Sequence, residues 1–437
     1  MEFGPATIKD GLILKMKCGT SAYEYLRKKF PYPSARTLQR HSRHIEFKSG
    51  ILEEVFDMLL LQIRYKKEQE LDCALAMEEM AIIPSRRTDP STKEPIGDVT
   101  LQSHSGTANK ALVFVLGGIS TRWKQAVAYY FTRAKAEGEA SDAVGKELAG
   151  IVLDIVQRAE AIGLRVHSVT SDMGSENRAM WRHLGLYCNR YGCRFSIPHP
   201  TRQGDSLCFI PDVPHVFKSM KRMLVVNGVI TLPADIVREE NLPSDKVYAR
   251  HLHDLINAEG KFQLKVAPRL TEESLQPKGR FAPMKVGVSR SFINRRTGTG
   301  LQLLALDKQD PPYITTAWFV NHVNRWFDLM TSRLRAVALS RSNENAYKNA
   351  ISHLEKNIRV FTGMKVGEPP QWKPVQTGVI MATNSILHIQ DVLLNKRLDN
   401  KFSFLLTSRF SQDFLENLFS SVRARQVYRT RLPLKTF

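Results

Sequence analysis

Three stretches of the sequence carry acidic side chains where a metal-dependent active site could use them. Glu78 and Glu79 end the run CALAMEE, and Asp172 follows the run LRVHSVT. Asp413 and Glu416 lie one turn apart in SRFSQDFLENLFSSVRARQ, whose apolar residues recur at helical spacing. Converging carboxylates repel one another unless cations neutralise them, and Mg²⁺ prefers carboxylate oxygens. Two such ions about 4 Å apart can activate an attacking oxygen and stabilise a leaving oxygen in phosphoryl transfer.

Two of these acids are predicted at strand ends and the third on a helix. In open α/β sheets, ligands gather at the carboxyl ends of the strands, so acids from distant parts of the chain can meet there. We therefore expect the carboxylates of Glu78, Asp172 and Glu416 to lie within about 10 Å of one another, since two metal ions span about 4 Å. The residues alone leave an alternative open, because acids after strands or on a polar helix face are often only solvated.

The elements that must position these acids change along the chain. Residues 69–212 are predicted to run strand, β-hairpin, helix, strand, helix, an order typical of a mixed α/β sheet with helices on its faces. The hairpin joins ALVFVLGGI and KQAVAYYFT. Residues 213–400 are predicted to be mostly helical, with AWFVNHVNRWFDLMTSRLRAV as an amphipathic core helix. Residues 401–437 return to a helix, which carries Glu416.

Residues 1–68 are predicted to be helical and basic. One helix, in YPSARTLQRHSRHI, carries Arg36, Arg40 and Arg43, and a second helix follows Ser49. Two short helices, one of them basic, indicate a helix-turn-helix that lies on DNA through these arginines. An ordinary helical hairpin with solvated arginines is the alternative.

The charge of the chain favours a polyanionic partner. The 437 residues carry a formal net charge of +20, and 43% of them are hydrophobic, which is ample material for real cores. Such a charge favours nucleic acid, whose phosphates bind cationic side chains with release of counterions. A basic protein that is merely kept soluble by its charge is the alternative.

The five cysteines are few for so long a chain and indicate a reducing compartment. Cys188, Cys193, His199 and Cys208 are close in sequence, but their spacing matches no common zinc pattern, so we favour buried thiols over a zinc site. The chain has no apolar run of about 18 residues and no apolar signal core, so neither a transmembrane helix nor a secretory signal is expected. The nucleus and the cytosol remain as possible locations, and the nucleus is the expected one.

Five segments together resemble the P-element transposase family, which includes the domesticated THAP-type relatives in animal genomes. In chain order they are YPSARTLQRH, STRWKQAVAYYF, VTSDMGSENR, IPDVPHVFKSMK and LLTSRFSQDFLENLFSSVRAR. The resemblance runs from about residue 12 to residue 425 and therefore covers most of the chain.

The resemblance implies an RNase H-like catalytic domain, here residues 69–212 and 401–437. A helix-turn-helix region precedes this domain, and a helical insertion that binds a guanine nucleotide, here residues 213–400, interrupts it. Two aspartates and a glutamate hold Mg²⁺ in the family, and by motif Asp172 is the second acid and Glu416 the third. The implied activity is Mg²⁺-dependent cleavage and joining of double-stranded DNA, at transposon ends and target, with GTP as a cofactor. A homo-oligomer is left open.

The first acid departs from the family pattern. Where the family has Phe-Asp-Glu-Met, this chain has Met77-Glu78-Glu79-Met80. The extra methylene of Glu78 moves the carboxylate by about 1 Å or more, and active-site geometry tolerates little displacement. We expect Glu78 to be a metal ligand, and whether the chain is catalytic stays open.

The segment PDVPHVFKSMKR matches the family's D-x-x-H-x-x-K with Asp212, His215 and Lys218. By resemblance, these residues and Asp413, at the border of the insertion, are predicted to meet the nucleotide, Lys218 through a phosphate. The alternative is a plain helix start, flanked by Asp212 and Pro214. The chain contains no P-loop motif, so the nucleotide site is expected to differ from that of ordinary GTPases.

Two further parts of the family pattern have no counterpart here: the C2CH zinc finger that usually comes first, and the helices that follow the position of Arg425. We expect a transposase-derived chain without these parts. Its function is predicted to be that of a P-element-type DNA transposase. The alternative is a catalytically impaired, transposon-derived DNA-binding or regulatory protein. A GTP-responsive regulator is a third, weaker hypothesis.

Overall fold

The fold is that of a computed structural model, which describes residues 3–42, 48–88, 95–135, 140–261, 263–275, 286–396 and 401–424. The strands are Gly50–Ile51 (β1), Asp72–Ala81 (β2), Arg87–Thr88 (β3), Pro95–Ile96 (β4), Lys110–Gly118 (β5), Lys124–Thr132 (β6), Arg165–Ser171 (β7), Tyr187–Asn189 (β8), Gly192–Arg194 (β9), Ser196–Pro198 (β10), Ser206–Pro211 (β11), Val229–Thr231 (β12), Lys246–Tyr248 (β13), Leu339–Ser340 (β14), Lys365–Val366 (β15) and Phe404–Leu405 (β16). The α-helices are Pro5–Arg27 (α1), Ala35–Ser42 (α2), Glu53–Ile63 (α3), Asp142–Ala161 (α4), Ser175–His183 (α5), Val213–Asn227 (α6), Ala234–Glu239 (α7), Arg250–Glu259 (α8), Glu272–Leu275 (α9), Val286–Phe292 (α10), Arg295–Lys308 (α11), Pro312–Met330 (α12), Glu344–Gly363 (α13), Pro374–Gln390 (α14) and Asp413–Ala424 (α15).

A seven-stranded sheet lies at the centre of the molecule, in the order β1-β6-β5-β2-β7-β11-β10. The predicted hairpin is the pair β5 and β6. Strands β2, β7 and β11 are parallel to one another, whereas the other neighbouring strands are antiparallel. Strands β2 and β5 are buried over most of their length, as expected for a sheet with both faces covered. The predicted mixed α/β fold is thereby confirmed.

Helices cover both faces of this sheet. Successive residues of a strand point to opposite faces. Accordingly, Leu75 of β2 packs in one core with Phe114 of β5 and Val152 of α4, whereas the next residue, Ala76, packs in another core with Phe419 of α15. The apolar side of α15 therefore holds this helix against the sheet, and its polar side is free to carry acids.

Between β11 and β16 the chain is mostly helical, as predicted, and its buried apolar residues form a core that also includes Ala74, Cys208 and Ile210 of the sheet. Phe217 of α6 stacks on Phe327 of α12 with ring centroids 4.0 Å apart. Helix α14 connects this helical part to the sheet, because the Ser385 hydroxyl donates a hydrogen bond of 2.9 Å to the Phe209 carbonyl of β11. None of the described helices is both long and apolar enough to cross a membrane.

A helical region precedes the sheet, but it pairs different helices from those predicted. Leu38 of α2 packs against Ile8 and Tyr23 of α1, and the Tyr23 hydroxyl donates a hydrogen bond of 2.8 Å to the Pro33 carbonyl. Helix α3, the predicted partner of α2, instead buries Phe56 in the sheet core. The physical reason is that the sheet offers the apolar stripe of α3 a larger apolar surface than the short, basic α2 does.

The arginines predicted to contact DNA lie on or near α2. Arg36 and Arg40 are exposed on this helix, where they are accessible to a polyanion. Arg43 lies outside the described residues. Their role in DNA binding stays a prediction.

Candidate active site

Acidic residues lie in one row across the carboxyl edge of the three parallel strands. The register pairs Ala76 of β2 with Thr170 of β7, and Ser171 of β7 with Pro211 of β11. Continued to the ends of the strands, this register aligns Glu78, Asp172 and Asp212. The sheet topology therefore brings together acids from three distant parts of the sequence, at the edge where ligands bind in open α/β sheets.

Asp212 fixes the starts of two helices at this edge. Its Oδ2 accepts a hydrogen bond of 3.1 Å from the backbone N–H of His215 and so caps α6. Its Oδ1 accepts a hydrogen bond of 2.9 Å from the backbone N–H of Gln412, directly before α15. The side chain of Gln412 in turn donates to the carbonyl of Met77 in β2. Helices α6 and α15 therefore begin beside the same strand ends.

This arrangement brings Glu78, His215 and Glu416 together. One possible ligand atom from each of the three side chains lies within 4.8 Å of the other two. Among the described residues, this is the group of three or more His, Cys, Asp or Glu side chains that is close enough to hold a metal ion. Glu78 and His215 are half-buried and Glu416 is exposed, so the group opens to solvent on the side of α15.

Asp172 lies next to this group rather than within it. It lines a cavity of about 160 Å³ together with Glu78. Its Oδ1 accepts hydrogen bonds from the backbone N–H of Gly174, at 2.9 Å, and from the side chain of Asn177, at 2.6 Å. These bonds hold the carboxylate in one orientation at the carboxyl end of β7.

Burial and negative neighbours make Glu78 a weak acid. Burial raises the pKa of Glu78 to about 8; the charges of Glu416, Asp212 and Asp172 add to this rise, and His215 opposes it. The Oε2 atom of Glu78 is buried and has no hydrogen-bond partner in the part of the chain that the structure describes. A buried carboxylate oxygen of this kind is stabilised either by a proton or by a cation.

His215 is held by Asp212. The Nδ1 of His215 lies 2.8 Å from the Oδ2 of Asp212, and a carboxylate oxygen accepts the hydrogen bond at this distance. Burial opposes the charged form of the imidazole, but the bond to Asp212 outweighs it and raises the pKa of His215 above its ordinary value. With Nδ1 held in this way, Nε2 is the ring nitrogen that remains for another partner.

The residues predicted to bind a nucleotide lie beside the acidic group. Asp212 is buried, with both carboxylate oxygens engaged by protein donors. Lys218 lies close enough to His215 that its charge partly opposes the rise in the pKa of that histidine. Asp413 forms an ion pair with Arg333, which follows α12. The structure thus places these four residues near the site, and their contact with a nucleotide stays a prediction. The sequence motif did not show that His215 would lie beside Glu78 and Glu416.

A basic cleft of about 600 Å³ adjoins Glu416. Its lining includes the cationic side chains of Arg122, Lys124, Arg333 and Arg409. Burial and the neighbouring charge of Arg122 lower the pKa of Arg409. Two guanidinium groups that repel each other in this way are stabilised by an anion placed between them, and a phosphodiester has the charge and the acceptor geometry for this.

The cysteines and the histidine considered for a zinc site do not cluster closely enough to hold a metal ion among the described residues. Cys188 and Cys193 lie opposite each other in the small hairpin of β8 and β9. His199 is buried, and its Nε2 lies 3.0 Å from the carbonyl oxygen of Val166. Cys208 is buried in β11, where burial raises the pKa of its thiol.

The residues at the strand ends fit a divalent cation. Carboxylates from three separate elements converge there, and one buried carboxylate oxygen lacks a hydrogen bond within the described residues. Oxygen ligands of this kind suit Mg²⁺ and Mn²⁺. The residues available as ligands are Glu78, Asp172, His215 and Glu416.

Comparisons with known proteins agree with this fold. Residues 47–185 match the sequence model of the family described as TNP-like, RNase H N-terminal domain. Over 414 residues the chain is 24% identical to the Transposable element P transposase of Drosophila melanogaster, an alignment that covers 93% of this chain and 49% of that protein. The chain thus spans about half the length of this relative.

A solved structure also agrees with this fold. The Drosophila P element transposase strand transfer complex matches the whole chain with a TM-score of 0.80 and 21% sequence identity, over 90% of the matched chain. The likeness extends from the sheet into the helical part, which a match to the family model alone does not cover. The resemblance to the P-element transposase family that the five motifs predict is thereby confirmed, on an RNase H-like fold.

Proposed function

We propose that the chain is a P-element-type DNA transposase, which cleaves and joins DNA strands in a reaction that depends on Mg²⁺. The observation that carries this proposal is the meeting of Glu78 and Glu416 within 4.8 Å, with Asp172 lining the same cavity as Glu78. Acids at the ends of parallel strands, on an RNase H-like sheet, form an arrangement that suits metal-dependent phosphoryl transfer.

Each side chain has a defined task in this proposal. Glu78, Asp172 and Glu416 hold the cations, which supply charge stabilisation and an activated oxygen nucleophile when they are bound. Asn177 and the backbone of Gly174 orient the Asp172 carboxylate. The hydrogen bonds that join Gln412 to the sheet edge hold the start of α15, and with it Glu416, over the strand ends.

The basic cleft beside Glu416 is the proposed path of the DNA backbone. Arg122 and Arg409 line this cleft, where burial and the charge of Arg122 lower the pKa of Arg409, and the whole chain carries a net charge of +20. Phosphates that bind in this cleft would lead a strand directly to the acidic group. Double-stranded DNA is therefore the proposed partner, with Arg36 and Arg40 of α2 as a second contact, and the nucleus is the proposed location.

The proposal includes the domain division that the resemblance implies. Residues 69–212 and 401–437 form the catalytic part, 213–400 the guanine-nucleotide-binding insertion and 1–68 the DNA-binding region. Lys218 is the proposed phosphate ligand of GTP, supported by its position one turn from His215 on α6. Asp212 acts indirectly, because its carboxylate oxygens are already engaged in holding α6 and α15.

A second function is favoured by one specific observation. The pKa of Glu78, raised by burial to about 8, leaves this carboxyl mostly protonated at neutral pH when no cation is bound. A protonated carboxyl is a poor metal ligand, so competition with the proton weakens the apparent affinity of the site for Mg²⁺ at neutral pH. The chain would then be a transposon-derived protein that binds DNA and regulates without cutting it efficiently.

A strand-nicking assay on labelled duplex DNA separates the two functions. Wild type, Glu78→Asp and Asp172→Ala are compared in Mg²⁺ at concentrations that give equal DNA occupancy, with Glu79→Gln as a control on the same strand. The transposase proposal predicts nicking by wild type and by Glu79→Gln, and none by Asp172→Ala. Binding of DNA without nicking by wild type, together with nicking by Glu78→Asp, would instead support the impaired protein.

A further inference from the structure

The strongest unexplained feature of the site is the position of His215. Sequence resemblance associates this residue with a nucleotide, yet the structure places it beside two carboxylates from β2 and α15. Asp172, which the resemblance makes a partner of both glutamates, lies outside this tight group and is engaged by Gly174 and Asn177. The composition of the group is therefore Glu-His-Glu, and not three carboxylates.

We infer that Glu78, His215 and Glu416 form a site for one divalent transition-metal ion, with Nε2 of His215 as a nitrogen ligand. This inference deepens the proposed function and rests on it for the view that this edge of the sheet takes up a cation. It differs from the proposed function in the ligand set and in the class of metal ion.

The dimensions of the group suit a single ion. Ligand atoms at about 2.1 Å from a metal ion lie about 3 Å apart when adjacent and about 4.2 Å apart when opposite. The three side chains offer atoms within 4.8 Å of one another, so closure around one ion needs shifts of about 1 Å or less for each side chain. Glu416 is exposed and lies in the first turn of α15, where its side chain has room for such a shift.

The orientation of His215 is that of a metal ligand with its supporting carboxylate. A ligating histidine commonly donates its second ring N–H to a carboxylate, which fixes the tautomer and the ring orientation. Asp212 provides this contact at 2.8 Å from Nδ1, and Asp212 is itself buried and held by backbone donors. The longer side chain of Glu78, compared with aspartate, extends its carboxylate from β2 toward this histidine.

The ligand types then set the metal preference. Carboxylates alone suit Mg²⁺, whereas an imidazole nitrogen suits first-row transition metals. Mn²⁺ accepts both kinds of ligand, so it is the appropriate probe. The site should bind Mn²⁺ more tightly than Mg²⁺, because only the two carboxylate ligands suit Mg²⁺.

Electron paramagnetic resonance tests this inference directly. Metal-free protein is titrated with Mn²⁺ at pH 8, and the electron spin echo of the bound ion is examined for modulation by a coupled ¹⁴N nucleus. Wild type should bind Mn²⁺ and show the ¹⁴N coupling. His215→Asn retains a donor near the position of Nδ1 for Asp212 but lacks an atom at Nε2, so it should lose the coupling and about tenfold or more in Mn²⁺ affinity, with Mg²⁺ affinity changed by less than about threefold.

One variant serves as a control. His253→Asn removes a histidine that lies 3.0 Å from Glu272 and outside the site, and it should keep the ¹⁴N coupling. Circular dichroism and the thermal midpoint show whether each variant is folded. If His215→Asn does not fold, the wild-type spectrum still shows whether a nitrogen atom binds the Mn²⁺ ion.

The outcomes are distinguishable. Bound Mn²⁺ without ¹⁴N coupling in wild type would overturn the histidine ligand and leave the carboxylate site of the proposed function intact. No binding of either ion to wild type would overturn both the inference and the proposed metal dependence.

Discussion

Glu78 should destabilise the metal-free protein at alkaline pH, and its replacement by glutamine should relieve this effect. Burial raises the pKa of Glu78 from 4.5 to about 8 in the folded chain. Between these two values the folded state binds a proton that the unfolded state has lost. Stability therefore falls as the pH rises from about 4.5 to about 8 and is constant above that, where both states are ionised.

The size of the effect follows from the shift. One pKa unit corresponds to about 1.4 kcal/mol, so a shift from 4.5 to about 8 has an upper limit of about 4 to 5 kcal/mol. Glu78 is only half-buried by its accessible surface, and solvent screening reduces the expected value to about 2 to 4 kcal/mol. Glutamine resembles the protonated acid, so Glu78→Gln should be about this much more stable than wild type at pH 8.5 and should differ by less than about 1 kcal/mol at pH 5.

The assay is thermal unfolding in EDTA at pH 5, 7 and 8.5, where each kcal/mol shifts the midpoint by about 2 to 4 °C in a domain of about 200 residues. Glu79→Gln is the matched control on the same strand, because Glu79 forms an ion pair with Lys110 and accepts a hydrogen bond of 2.8 Å from Thr132. This variant should lose stability at pH 8.5, the opposite sign to Glu78→Gln. An equal effect of Glu78→Gln at pH 5 and pH 8.5 would refute the reasoning.

Three further predictions concern DNA, nucleotide and packing. Arg122→Gln and Arg409→Gln should each lower the slope of duplex-DNA affinity against salt by about one, as measured by fluorescence anisotropy; unchanged slopes would place the DNA elsewhere. Lys218→Ala should weaken binding of guanine nucleotide in a calorimetric titration, because a phosphate loses one counter-charge, and equal affinities would contradict its assignment. Gly378→Val should lower stability by about 2 kcal/mol in a thermal melt, since a Cβ at this helical glycine would lie only 2.6 Å from the sulfur of Met173; an unchanged midpoint would show that the sulfur moves aside.

Local patterns in the sequence were enough to predict which segments form helices and strands and which carboxylates are candidate metal ligands. Two β-rich runs separated by a polar turn predicted the β5–β6 hairpin, and helical spacing predicted the helix that carries Glu416, because both signals are local properties of the chain. The ordered motifs predicted the resemblance to the P-element transposase family, and with it the roles of Asp172 and Glu416, which stay predictions. Their proximity followed only as an expectation from the way parallel strands end at one edge.

The tertiary structure decided which distant elements meet. Asp212 accepts one hydrogen bond from His215 and another from Gln412, which lies 200 positions further along the chain. Together these two bonds bring His215 close to Glu416. No local spacing encodes a contact of this kind, since it depends on how α6 and α15 pack on the sheet.

The pairing of α3 shows the same limit. Its apolar stripe predicted a buried helix but not its partner, and the structure pairs it with the sheet rather than with α2. The burial of an apolar face is favourable against any surface of sufficient area, because the hydrophobic effect has no direction. The choice among such surfaces is made only when the whole chain is folded.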